Sequence, residues 1–176
     1  MATTYEKIAT VTVGSGGAAN ITFSSIPQTY TDLVIKVSAR DDRSGSNYTD
    51  DFLVTFNGDS TSSYAYKILY GGGGSAGSFG SGADSQIFGG YLVGTDGTAN
   101  TFGNTEIYIP NYAGSTYKST SYDGVAESNS SSGVYVSLGA GLWSKTAAIT
   151  SIKLDPFYGN TLLQYSSATL YGIKNS

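Results

Sequence analysis

The chain has 176 residues, enough for one domain with a core that needs no staples, and it contains neither cysteine nor histidine. That composition excludes disulfides, thiolate or imidazole metal sites, cysteine nucleophiles and histidine-based triads. Only 12% of residues are charged and the net charge is −4; the nine Lys and Arg are scattered singly, which argues against nucleic acid, and no apolar run approaches the roughly 20 residues of a membrane helix. Hydrogen-bonding capacity comes instead from 26 Ser and 20 Thr, spaced by 24 Gly.

Taken in order, Ala9, Val11 and Val13 alternate with Ile8, Thr10 and Thr12 as a strand, and residues 14–17 make a turn. A short strand at 20–23 is broken at Ile26-Pro27. The clearest alternation follows, with Leu33, Ile35 and Val37 on one face and Asp32, Val34, Lys36 and Ser38 on the other; one of these faces is core. Residues 40–51 (RDDRSGSNYTDD) read as a polar loop. Phe52, Val54 and Phe56 share a face of the next strand, which Asn57-Gly58 closes with a tight turn.

Residues 64–70 form a Tyr-rich strand, and the glycine-dense 71–82 that follow read as a mobile or closely packed surface loop. Strand character returns at 84–93, and 94–100 is a turn. Residues 101–123 contain the organising hairpin: Glu106 and Tyr108 face one way, Ile107 and Ile109 the other, Pro110 ends the ladder, residues 111–116 turn, and 117–122 return as a strand. Residues 125–132 drift into a Ser-rich loop. Val134, Val136 and Leu138 mark a strand ending near Trp143, Ile152 and Leu154 share a face before Pro156, Gly159-Asn160 turns, and 162–173 supply the last strand or pair of strands. The expected fold is all-β, a jelly-roll-like antiparallel sandwich or barrel of about 8–10 strands in a single domain over 1–176.

Few residues point to chemistry. Gly72, Gly74 and Gly77 fit G-x-G-x-x-G, but no helix follows to receive a phosphate. Asp41, Asp42, Asp50 and Asp51 offer hard oxygen ligands for calcium, yet their spacing fits no EF-hand, and solvated loop charge beside Arg40 and Arg43 is the favoured reading. The acids show no pairing of the kind glycoside hydrolysis needs. The expectation is therefore no enzyme activity, no cofactor and no metal. The sequons at Asn20, Asn47 and Asn129 read as coincidence, because no signal-peptide core precedes them.

The segments FGNTEIYIPNYAGS, VGSGGAANITFSSIPQTYTDLVIKVSAR, AGLWSKTAAITSIKL and QYSSATLYGIKN carry a resemblance that spans nearly the whole chain. It resembles small virion structural proteins of tailed bacteriophages, common in marine and cyanobacterial phages. The resemblance implies a non-catalytic jelly roll, assembled in the host cytoplasm and located in the virion. On that basis the chain is expected to be a head decoration, or cement, protein: a homotrimer reinforcing the lattice of the phage major capsid protein. The alternative is a tail-fibre or spike-tip module binding host surface glycans through exposed Tyr and Trp. Subunit contacts are expected at the chain termini and at Tyr108, Pro110, Asn111, Tyr112 and Tyr117, because Tyr is enriched at interfaces.

Overall fold

The computed structural model describes residues 4–45, 49–129 and 133–174. Residues 46–48 of the expected polar loop and 130–132 of the expected Ser-rich loop, with sequon positions Asn47, Ser130 and Ser131, lie outside them. Among the described residues there are twelve strands and no helix: β1 (Tyr5–Thr12), β2 (Ile21–Phe23), β3 (Asp32–Ala39), β4 (Thr49–Phe56), β5 (Tyr64–Gly72), β6 (Ser75–Asp84), β7 (Ile87–Val93), β8 (Gly103–Ile109), β9 (Lys118–Ala126), β10 (Tyr135–Trp143), β11 (Ile152–Pro156) and β12 (Ser167–Ile173). All strand pairs are antiparallel and form two sheets, one of eight strands in the order β1-β12-β3-β8-β9-β10-β5-β6 and one of four in the order β2-β11-β4-β7. The expected all-β sandwich is borne out, with twelve strands among the described residues where the sequence suggested about 8–10.

The sheets close on a core that contains Leu33, Ile35 and Val37 of β3, Phe52, Val54 and Phe56 of β4, Ile107 and Ile109 of β8, and Ile152 and Leu154 of β11. These are the faces that period-two alternation selects. Asn57 and Gly58 both have positive φ, 54° and 67°, the geometry a two-residue primed turn requires. At that end Tyr64 stacks on Trp143 at 6.3 Å between centroids. The Trp143 indole donates to Asp59 Oδ2 at 2.8 Å, and the Tyr64 hydroxyl accepts from the Phe56 amide at 2.9 Å, so both polar ends of this aromatic pair are satisfied inside the core.

Residues 71–82 are the main departure from expectation, because they belong to a hairpin and not to a loop. Gly71 and Gly72 end β5, Gly73 and Gly74 turn with φ of 56° and 81°, and the rest pairs with β5 as β6. Glycine is needed in the strands for a further reason. Tyr70 pairs across the ladder with Gly77, Tyr135 with Gly72, and Tyr122 with Gly139. In each pair the ring lies where the glycine's Cβ would be: a Cβ on Gly139 would come within 1.9 Å of the Tyr122 ring, and one on Gly72 or Gly77 within 2.6 Å of its tyrosine. The glycines thus supply room that large rings fill, and the chain packs this half of its large sheet with tyrosine.

Gly139→Ala is therefore expected to overpack a buried site whose ring has nowhere to move, at about 1–3 kcal/mol. For a domain of this size that corresponds to a fall in melting temperature of roughly 3–10 °C. Gly82→Ala, which meets nothing within 4 Å, is the matched control and should melt within about 1 °C of the parent. Equal melting of both variants would refute ring-over-glycine packing.

Candidate functional site

The turn after β8 is built from its own side chains. Asp32, buried at the start of β3, accepts from the Tyr108 hydroxyl at 2.9 Å and from the Asn111 amide at 2.8 Å. Lys118, fully buried, donates Nζ to the carbonyl oxygens of Gly114 and Thr116. Burial lowers the Lys118 pKa, and three carbonyl oxygens, that of Thr146 included, compensate the charge in place of a carboxylate. Of the five residues expected at subunit contacts, Tyr117 is 59% exposed, Tyr108 and Asn111 are at the surface, and Pro110 is half-buried. Tyr112 is a correction. It is wholly inside the core, its hydroxyl donating to the Pro27 carbonyl and its own carbonyl accepting from Ile149, so it cannot meet another subunit. Trp143 is buried as well, which removes it as a sugar-stacking surface.

The acids at 41–51 are a second correction in part: Asp42 is exposed, as expected, but Asp41 and Asp50 are not solvated. Asp41, Asp50 and the Arg40 side chain are buried. Asp50 receives Arg43 Nη1 at 2.9 Å, Asn160 Nδ2 at 2.7 Å and the Asp51 amide at 2.7 Å, the pattern of an ionised carboxylate. Asp41 Oδ2 has no donor, and burial and then the neighbouring Asp50 raise the Asp41 pKa. Burial and the nearby Asp50 thus favour the neutral form of Asp41 up to about pH 8. Burial, followed by Asp50, also pushes Asp51 up to about 6. The Arg40 guanidinium donates to the carbonyl oxygens of Thr95, Gly97, Thr98 and Thr101 at 2.7–3.3 Å and so organises the whole β7–β8 connection. These groups hold loops together away from solvent. Among the described residues, no three His, Cys, Asp or Glu side chains group to hold a metal ion, and no helix is long and apolar enough to cross a membrane.

The surface feature that sequence reasoning missed lies on the outer face of the large sheet. In β10 the aliphatic residues Val136, Leu138 and Leu142 point outward, while Tyr135, Ser137, Gly139, Gly141 and Trp143 point inward. Leu138 is 57% exposed, Val136 54% and their neighbour Leu69 of β5 61%. Register places Leu138 beside Leu69, and Val136 between Val125 and Gly71. The result is an apolar strip across β9, β10 and β5. Its counterpart on β3 and β8 is ordinary, with Lys36 and Glu106 paired at 2.8 Å. The strip runs up to β6, a ten-residue sheet edge with no Lys, Arg or Pro. The signal was present in the alternation of 135–143, but aliphatic residues ordinarily mark the core face, and here tyrosine and glycine occupy it.

In comparisons with known proteins, the chain matches no family model and no curated protein.

The buried acids set an expected pH dependence. Asp41 and Asp51 hold protons in the folded state that the unfolded chain releases near pH 3.8, so they lower stability progressively as pH rises above that value. Asp59 acts oppositely: burial raises its pKa, but hydrogen bonds from Ser63, Thr61 and Trp143 together outweigh this and hold it well below the carboxylate range, giving stability that is lost in strong acid. Thermal melts should therefore peak near pH 5 and decline toward about pH 8, and Asp41→Asn should flatten the decline. A melting temperature that rises over that interval would contradict a neutral buried Asp41.

Proposed function

We propose that this protein is a non-catalytic structural component of a phage virion, a head decoration protein of jelly-roll type that assembles as a homotrimer on the capsid lattice. The observation that carries the reading is the apolar strip of Leu69, Val125, Val136, Leu138 and Leu142 beside the bare β6 edge. A run of exposed aliphatic side chains on outward positions of neighbouring strands suits an assembly contact. An edge strand without Lys, Arg or Pro is a liability unless something covers it. Closed three-fold symmetry covers both on every copy, and three-fold positions of an icosahedral shell match it. The resemblance carried by FGNTEIYIPNYAGS and its companion segments supports the virion setting and the capsid protein as partner. Tyr108, outward on β8, and Tyr117, just before β9, are exposed and available for contacts with that shell.

Light scattering coupled to size exclusion at micromolar concentration should report close to three times the 18.3 kDa chain mass, with at least about 1,000 Å² buried per contact. Leu138→Asp should run as a folded monomer with the β-sheet circular dichroism of the parent, because within the single chain this side chain packs against little. A monomeric parent protein would overturn the preassembled trimer. On particles, a decoration role requires copies in the hundreds per virion, and a count in the tens would move the protein to the tail.

A further inference from the structure

At one end of the sandwich the connections between strands enclose an open cleft of about 640 Å³. Ser15, Asp42, Asn100, Phe102, Gln164 and Tyr165 are among the side chains that line it. Its walls are fixed. Arg40 ties down the β7–β8 connection, and the β11–β12 connection is bonded on both sides: Thr161 N to Asp42 Oδ1 at 2.7 Å, Leu163 N to Arg40 O at 2.8 Å and Tyr165 N to Val13 O at 3.0 Å. A site held this way is ready before any ligand arrives.

Tyr165 is the anomaly. It is 68% exposed, the highest value among the exposed large hydrophobic residues, and its φ is 75°, a left-handed conformation that costs free energy in a residue this bulky. Its hydroxyl has no hydrogen-bond partner among the described residues and its ring touches no other ring. Glycine or asparagine would suit this backbone better. Asn100, on the opposite side of the cleft, is also left-handed, at 66°. The same β11–β12 connection carries two further exposed rings, Phe157 and Tyr158, packed edge to face at 4.7 Å.

We infer that this cleft is a binding site for a neutral saccharide, with Tyr165 as the stacking platform. A flat exposed ring suits the C–H face of a pyranose. Asp42, Asn100, Gln164 and Ser15 supply the mixture of acceptors and donors that ring hydroxyls require. The lining contains no lysine, and its one arginine spends its donors on backbone carbonyls, which disfavours phosphates and other anions. The volume fits about two or three sugar rings, within the range of small-molecule sites. The inference rests on the cleft alone and holds whether or not the strip assembles the protein.

Proton NMR of the full chain should be titrated with maltotriose, cellotriose, chitotriose and mannotriose. At least one should perturb the Tyr165 ring signals saturably, with a Kd in the range of about 0.1–5 mM. Tyr165→Asn should weaken that ligand at least about tenfold while melting at or above the parent temperature, since Asn tolerates the left-handed backbone. Tyr165→Phe keeps the ring and should bind within about threefold of the parent. Failure of all four trisaccharides, or undiminished binding by Tyr165→Asn, would overturn the site. Loss of both binding and stability in Tyr165→Asn would show that the ring is structural, which also overturns it.

Discussion

The large sheet depends on one packing rule: a tyrosine ring on one strand lies across a glycine directly opposite it on the next. Tyr122 over Gly139, Tyr135 over Gly72 and Tyr70 over Gly77 tie β9, β10, β5 and β6 into one layer. Each pair works only in its own register, because a slip by one residue would set a ring against a side chain and turn it to the opposite face. Phe79, Phe88 and Tyr91 continue the layer with edge-to-face contacts at 5.0–5.3 Å. This half of the large sheet thereby fills its inner face with rings and glycines, beside the aliphatic core of β3, β4, β8 and β11.

The same rule explains the surface. Once rings and glycines occupy the inner positions of β10, the alternation delivers Val136, Leu138 and Leu142 to the outside. The apolar strip is thus a consequence of how the core is filled, and it stands on a backbone held rigid by the rings beneath it. Rigidity is what an assembly contact and a preformed cleft both draw upon. Elsewhere the chain uses buried polar groups for the same end. Arg40 on the carbonyls of the β7–β8 connection, Asp32 under the turn at Asn111 and Lys118 within that turn each replace missing apolar contacts with hydrogen bonds.

The all-β class, the inward faces of β3, β4, β8 and β11, and the turns at Asn57-Gly58 and Gly159 were legible, because period-two alternation and positive-φ residues report local geometry directly. Three readings were not. The stretch at 71–82 has only Phe79 to announce a strand, and the other rings that fill it come from Tyr70 and Tyr135, which are defined only by cross-strand register. Asp41 and Asp50 looked like loop charge because their partners, Arg43 and Asn160, are brought together by the fold and not by proximity in sequence alone. Tyr112 carries the composition of an interface and the position of a core residue, a distinction set by Pro27 and Ile149 reaching it from distant segments. For the cleft, the trace in sequence was a tyrosine standing between Gln164 and Ser166, and its left-handed backbone becomes visible only in three dimensions.

The central claim is that the glycine-rich half of the large sheet is locked by rings, and amide hydrogen exchange resolved by residue tests it most directly. The account predicts that amides of β9, β10 and β5 which point into the ladder, including those of Gly139 and Gly71, exchange as slowly as those of β3 and β8. Exchange near the unfolded rate throughout residues 64–82 and 135–143 would mean that the glycines leave this half soft, and the account would fail.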